Sequence, residues 1–436
     1  MRIGELAFAA ILLLSSGPSV LASPMTLDQA VEKALANNKE LQVKRLAVKT
    51  AESEMLKARL WSQSNPELEM EAVSDVLTGN LGEGTLQLGL SQEVELGGQR
   101  GHRTKIADAH IELVKLELTV SEQTLKRDVK AAFNSLVVAQ QRLAFSRYVD
   151  SLAGLLRDTA EVRVRNGFLP RSEFTFLDID VASTRTTVNK ADAALNENKT
   201  QLLRLLGGTP DNALEAVGEV AYQPLLISED SMVSLATSHR SELQDNQLRQ
   251  SATTAELGLA RSERVPNLTV SAFYSRQKSV FSSSDFVGNS AGLQGLKSTD
   301  HLLGIRFSLP LPLINKHRSE IARYSSETEV HAATGQSLNN QIQYEARNAY
   351  RALKSAEKTV ELLQQVQPES DSLFQLLQNA YAQGRVGISD YLTQKDRLLI
   401  TRLNLLDAYS IYVGAQKEVE RAVGLDWNQI WQGELK

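Results

Sequence analysis

The sequence predicts a mainly helical chain with a smaller, membrane-spanning β part, built by duplicating one unit of helix, two strands, very long helix and second helix. Three observations predict it. Landmark residues recur at a constant separation over most of the chain, apolar and polar residues alternate in short paired stretches, and two long helical tracts hold only one proline, Pro368.

The duplication rests on subtraction. Ser91 and Ser308, Gly167 and Gly384, Ser172 and Ser389, and Gly207 and Gly424 are each 217 residues apart. A constant offset means no insertion over that stretch, and Val129–Phe133 falls on Ala346–Tyr350 in the same apolar phase. Upstream the offset is 200, from Pro66 to Pro266, so the second half carries its 17 additional residues in one loop. Such self-similarity is the mark of a repeated structural unit.

The elements follow in chain order. Arg2 and the apolar run 7–14 precede the small residues around Val20–Ala22. The run is too short for a helical span of about 20 residues, so 1–22 reads as a secretory signal with the mature chain starting near Ser23, outside the cytoplasm; the alternative is a buried N-terminal helix. The first repeat, 23–228, is expected to hold a helix over 27–61, strands 66–75 and 84–96, a long helix 99–166, a helix 171–206 and a linker 207–228. The second, 229–424, repeats it with a helix over 229–264, strands 266–277 and 300–312, a long helix 316–383 and a helix 389–423, leaving a tail at 425–436.

The first helix of each repeat ends before Pro66 or Pro266, since proline disfavours helix in the residue before it. In the strand 84–96, Leu86, Leu88, Leu90, Val94 and Leu96 alternate with Gln87, Gly89, Ser91, Glu93 and Glu95, a period of two that no helix produces. Leu303, Ile305, Phe307, Leu309 and Leu311 repeat the stripe, as do Leu268, Val270, Ala272 and Tyr274. Each run has the length of a membrane-spanning β-strand, about 10 residues. The connection 277–299 is rich in Ser, Gly and Asn, as an extracellular loop would be. A soluble sandwich with one wet face also fits the strands taken alone. If they lie in lipid, four strands per chain cannot close a barrel, and a lipid-facing sheet must have no open edge; three chains would give twelve strands.

Along the long helices Leu125, Val129, Ala132, Leu136, Ala139 and Leu143 alternate spacings of four and three, and Ile342, Ala346, Ala349, Leu353, Ala356 and Val360 repeat the series. This is a coiled-coil seam, and at 1.5 Å per residue each helix reaches roughly 100 Å. At the helix ends Gly167 and Gly384 are expected to close one helix in the left-handed conformation. Ser172 and Ser389 are expected to N-cap the next, with Glu173 and Asp390 in its first turn.

Composition removes several functions. There is no cysteine, so no disulfide, thiolate ligand or acylated N-terminal cysteine, and a net charge of −5 without a large basic face argues against nucleic acid as a partner. No His-Glu-x-x-His, Gly-x-Ser-x-Gly or phosphate-binding loop occurs, and the six histidines are scattered. The reading is of a protein that is not an enzyme and has no resident metal or cofactor.

The repeated organisation, the Gly-x-x-x-x-Ser-acid turns at Gly167 and Gly384, and the string Leu96–Arg100 together resemble the TolC-type outer-membrane efflux family over essentially the whole mature chain. Two strings, Glu93–Arg100 and Ser308–Lys316, resemble its heavy-metal branch, of the cobalt-zinc-cadmium resistance kind. The resemblance implies a homotrimer with a 12-stranded β-barrel in the outer-membrane lipid, four strands per chain, and a long α-helical periplasmic barrel. It further implies docking to a periplasmic adaptor and an inner-membrane resistance-nodulation-division (RND) transporter, in a tripartite system exporting heavy-metal cations. The competing readings are a TolC-like exit for drugs or type I secreted proteins and, more distantly, a soluble coiled-coil spacer or adaptor. In a trimer each turn occurs three times around one axis, so Tyr381, Arg385 and Asp390 are the gate candidates, an aspartate constriction matching Asp390 being what the resemblance implies. Gly167, Leu169, Arg171, Ser172, Glu173, Gly384, Val386, Gly387 and Ser389 are the adaptor-docking candidates. Without that role, Asp390 stabilises a helix N-terminus by about 0.3–1 kcal/mol.

Overall fold

The computed structural model describes residues 23–78, 82–208, 214–220, 222–281 and 296–431; the expected signal segment, 1–22, lies outside them. The first repeat forms β1 (Ser23–Met25), α1 (Leu27–Asn37), α2 (Lys39–Ala58), β2 (Glu67–Ser74), β3 (Gly84–Val94), α3 (Gln99–Arg165), α4 (Arg171–Leu205) and β4 (Leu214–Ala216). The second forms α5 (Glu229–His239), α6 (Ser241–Ser262), β5 (Leu268–Phe281), β6 (Leu296–Ser308), α7 (Arg318–Ala382) and α8 (Ile388–Val423), followed by α9 (Trp427–Trp431). Packing groups the chain otherwise than the repeats do. Of the described residues, one compact unit comprises those within 23–45, 117–241 and 338–431, the other those within 46–116 and 242–337, and α2, α3, α6 and α7 belong partly to each.

The single helices expected over 27–61 and 229–264 are each two. Thr26 and Gln29 form a capping box that starts α1, and the helix breaks at Asn38, whose backbone is extended (φ −63°, ψ 123°). Arg240 breaks the second repeat in the same conformation (φ −65°, ψ 122°). Neither break carries proline or glycine. At Asn38 the side chain caps α2, its Oδ1 accepting from Leu41 N at 3.0 Å, and both breaks are held by tertiary bonds: Asn38 Nδ2 donates to Leu205 O at 3.1 Å and Arg240 Nη1 to Ala422 O at 3.2 Å, carbonyls 217 residues apart at the ends of α4 and α8. Arg240 also meets Glu345 at 2.9 Å.

In the first unit the seam residues are all buried, with Val129, Leu136, Ala346, Leu353 and Val360 fully enclosed. Complete burial of a Leu or Val contributes about 1.5–3 kcal/mol, so each seam holds its long helix against the other helices of the same repeat. One core gathers α1, α3 and α4, and its repeat-related counterpart gathers α5, α7, α8 and α9. The stretch read as a linker contains β4, which pairs in parallel with β1, Pro24 lying opposite Glu215.

The second unit holds a four-stranded antiparallel sheet in the order β2-β3-β5-β6. β6 stops at Ser308, short of the expected 312, because Pro310 and Pro312 lack the N–H that a ladder needs. At the hairpin end β5 reaches Phe281 and β6 begins at Leu296, both beyond the expected limits. The register sorts the two faces. Leu68, Met70, Leu86, Leu88, Leu90, Leu303, Ile305 and Phe307 share one face and are exposed, while Glu67, Glu69, Glu71, Gln87, Ser91, Ser271 and Arg306 share the other. A sheet with an exposed apolar face and a polar opposite face matches the alternation of a transmembrane barrel wall.

Between β3 and α3, Leu96–Arg100 is built for close approach. A Cβ on Gly97 would lie 2.3 Å from Ser262 O. Gln99, buried, accepts from Gly97 N at 2.9 Å and donates to Asn267 Oδ1 at 3.0 Å, so the motif ties the first repeat to the start of β5. Arg103 pairs with Glu95 at 2.6 Å and donates to Leu60 O.

Candidate docking and gating tip

The turns α3–α4 and α7–α8 have the same construction. Gly167 and Gly384 are left-handed, at φ +75° and +70°. In the first, Gly167 N donates to Val164 O at 3.0 Å and Phe168 N to Arg163 O at 2.8 Å; in the second, Gly384 N donates to Tyr381 O and Arg385 N to Ala380 O, both at 2.9 Å. These are Schellman closures, which satisfy the last helical carbonyls and need a residue tolerant of positive φ.

Capping by Ser172 and Ser389 is corrected. Each helix begins earlier, with Pro170 and Gly387 as extended N-cap residues and no side-chain cap at either. Both serines occupy the second helical position, where the side chain points away from the free N–H groups of the first turn. Pro170 presets the extended backbone through its ring. Glu173 and Asp390 sit in the first turns, where the helix dipole favours a negative charge.

Behind the turns lies an apolar cluster of Ala160, Leu177, Tyr381, Ile388 and Tyr391, with Leu169 and Val386 half-buried against it. The Tyr381 and Tyr391 rings stack with centroids 4.7 Å apart. Burial raises the Tyr381 hydroxyl above its usual range, with Glu173 adding to the effect and Arg163 opposing it. Arg163 Nη2 donates to Ala382 O at 3.2 Å and so ties the first turn to the second. Tyr381 is therefore part of the tip core, and the exposed gate candidates are Arg385 and Asp390. Among the described residues no ion pair joins these two within one chain. Gly167, Arg171, Ser172, Gly384, Gly387 and Ser389 are exposed, and Glu173 is half-buried.

Sequence reasoning passed over two features here. Phe168, directly after the left-handed glycine, is 80 % exposed; a large aromatic side chain in a tight turn is the signal that could have found it. Deeper, Lys395 of α8 is paired with Asp180 of α4, with side chains only 3 % and 11 % exposed. The second Asp180 oxygen and the Tyr391 hydroxyl are buried without hydrogen-bond partners. Burial raises the Tyr391 hydroxyl, and the Asp180 charge raises it further. Elsewhere, no helix among the described residues is long and apolar enough to cross a membrane, and no group of three or more His, Asp or Glu residues there could hold a metal.

Paired helical hairpins carrying a sheet with one lipid-type face define an outer-membrane channel subunit of the mainly helical, TolC-like kind. Residues 30–208 and 232–425 match the outer membrane efflux protein family, and the chain belongs to it. That family is one of channels located in the Gram-negative outer membrane and is not an enzyme family; its members work in tripartite systems with an adaptor and an RND transporter. Among relatives, the chain is 23% identical over 418 residues to the cobalt-zinc-cadmium resistance protein CzcC of Cupriavidus metallidurans, covering 93% of this chain and 92% of that protein. Among solved structures it resembles a membrane protein from Pseudomonas aeruginosa, with a TM-score of 0.71 and 18% identity over 91% of this chain and 92% of the other. It also resembles CusC, with a TM-score of 0.70 and 16% identity over 92% of each chain.

Proposed function

We propose that three copies of this chain close a 12-stranded outer-membrane barrel and a helical periplasmic tunnel, forming the passive exit duct of an efflux system for heavy-metal cations. The observation that carries the trimer is the sheet: one face is apolar and exposed, yet β2 and β6 are unpaired outer strands. Such edges are untenable in lipid unless another chain covers them. The heavy-metal substrate is supported by the name and full-length similarity of the cobalt-zinc-cadmium resistance protein. In this reading residues 1–22 are removed on export.

At the tip, Arg385 and Asp390 form the gate, each repeated three times around the axis, while Tyr381 packs the turn that carries them. An adaptor docks on the exposed turn residues, Gly167, Arg171, Ser172, Gly384, Gly387, Ser389 and Phe168, over a rim stiffened by Leu169, Glu173 and Val386. Expression in a Gram-negative host lacking its own exit duct tests the proposal. The protein should fractionate with outer membranes as a trimer that dissociates on heating, and should restore tolerance to cobalt, zinc or cadmium when its pump and adaptor are present. Recovery as a soluble periplasmic monomer overturns the channel. Restored antibiotic tolerance without metal tolerance moves the substrate to drugs. Arg385→Ala with Asp390→Ala should raise the leak of small solutes at unchanged trimer yield; unchanged conductance removes the gate.

A further inference from the structure

On the apolar face of the sheet, charge is confined to one end. From the helix-connected end toward the hairpins that face reads Leu268, Val270, Ala272, Tyr274, Arg276, Lys278, Val280 along β5 and Phe307, Ile305, Leu303, His301, Thr299, Lys297 along β6. β2 contributes Leu68, Met70, Ala72 and Ser74, and β3 contributes Val94, Gln92, Leu90, Leu88, Leu86 and Gly84. Every basic residue that the strands place on this face, Arg276, Lys278, Lys297 and His301, therefore lies beyond the row of Met70, Leu88, Tyr274 and Leu303.

The two strands are neighbours about 4.8 Å apart, with same-face residues repeating at about 7 Å, so the four form one patch. All four are exposed. Tyr274 Oη lies 2.6 Å from His301 Nδ1, fixing an aromatic side chain at the boundary between the apolar band and the patch. The acidic neighbours in sequence, Glu83 and Asp300, fall in the alternate phase; Asp300 lies opposite Gln277 on the other face, and Glu83 accepts from Val280 N. Among the described residues Arg276, Lys278 and Lys297 enter no ion pair.

We propose that Arg276, Lys278, Lys297 and His301 form a binding site for the phosphates of a glycolipid in the outer leaflet, with Tyr274 against its acyl-chain boundary. The inference rests on the channel reading, which puts the helices in the periplasm and the hairpins outward. Clustered interfacial cations are the usual means of binding anionic lipid headgroups.

The test compares wild type with Arg276→Gln/Lys278→Gln/Lys297→Gln, each extracted from outer membranes, and measures glycolipid retained per trimer by phosphate analysis and mass spectrometry. The variant should retain the lipid roughly a hundredfold more weakly, the change expected from removing three interfacial cations. Because the variant could assemble poorly, the wild type is also titrated with salt and with lipid stripped of its phosphates: release by salt and failure of the stripped lipid to compete support the site. Equal retention by the two proteins, competition by the stripped lipid, or displacement by inorganic phosphate at the glycolipid's own concentration overturns it. Heat-modifiable trimers in outer membranes with unchanged retention reject the site alone, whereas wild type absent from that fraction rejects the channel reading.

Discussion

Replacing Lys395 with methionine should destabilise the tip region far more than an exposed lysine would. The Lys395 side chain is 3 % exposed, its partner Asp180 is 11 % exposed, and Asp180 Oδ2 is buried with no hydrogen-bond partner. The neighbouring Asp396 lies 3.7 Å from the ammonium but is 64 % exposed, so it does not substitute for Asp180. Lys395→Met leaves the Asp180 carboxylate, 11 % exposed at the wall of a cavity, without its cation, and breaking a largely buried pair from one side costs about 3–5 kcal/mol. Replacing both, Asp180→Leu with Lys395→Met, removes the orphan charge and should be close to neutral. The two substitutions therefore couple strongly, and the double variant is the more stable of the pair. Amide hydrogen exchange in α4 and α8 of the solubilised protein measures the opening free energy locally, which a global melt of a large oligomer does not. A Lys395→Met cost below about 1 kcal/mol, the range of surface pairs, would refute the argument and mean that the pair is wet in solution.

Lysine at Ile305 or Phe307, 68% and 67% exposed on the apolar sheet face, should each cost about 2–4 kcal/mol in lipid and reduce barrel yield in a heat-modifiability assay; normal yield with both replaced means the face is not in lipid. Burial raises the Glu420 carboxyl above its ordinary 4.5, with Lys130 opposing, so the folded form keeps its proton to higher pH than the unfolded chain. This contribution to stability is full below the unfolded value and is lost as pH rises through the folded one; Glu420→Gln should flatten that part of the plot of unfolding midpoint against pH, and an unaltered slope counts against it. Phe168→Cys, in a chain with no native cysteine, should cross-link to the adaptor hairpin, whereas a core position such as Leu177→Cys should not; the opposite pattern moves docking away from the turns.

The duplication, the seam and the strands were legible because each is a periodicity, and periodicity follows from burying one face of a helix or sheet. The end of β6 was legible in principle from Pro310, whose missing N–H outweighs the apolar alternation that continues through Leu311. The break at Asn38 was legible in principle, since Asn is a favoured N-cap and its Oδ1 accepts from Leu41 N, whereas the break at Arg240 was not, since the carbonyl that holds it lies at the far end of the same repeat. At the tip, the glycines could be read from sequence because positive φ restricts the residue type. What could not be read was which side chains the turns bury. Tyr381 and Arg385 are four residues apart, yet one stacks on Tyr391 inside the cluster and the other is in water. Lys395 and Asp180 are 215 residues apart, and no local pattern marks either as buried.

The open edges of β2 and β6 bear on genetics as well as on assembly. Where three copies must seal one wall, a single chain has no membrane state of its own, and its stability is inseparable from the concentration of its siblings. A copy whose helices assemble but whose edge strand cannot pair would still be drawn into mixed trimers and leave each of them unsealed. Alleles damaging β2 or β6 should therefore be dominant over a normal copy in the same cell, while those that prevent export of the chain should be recessive.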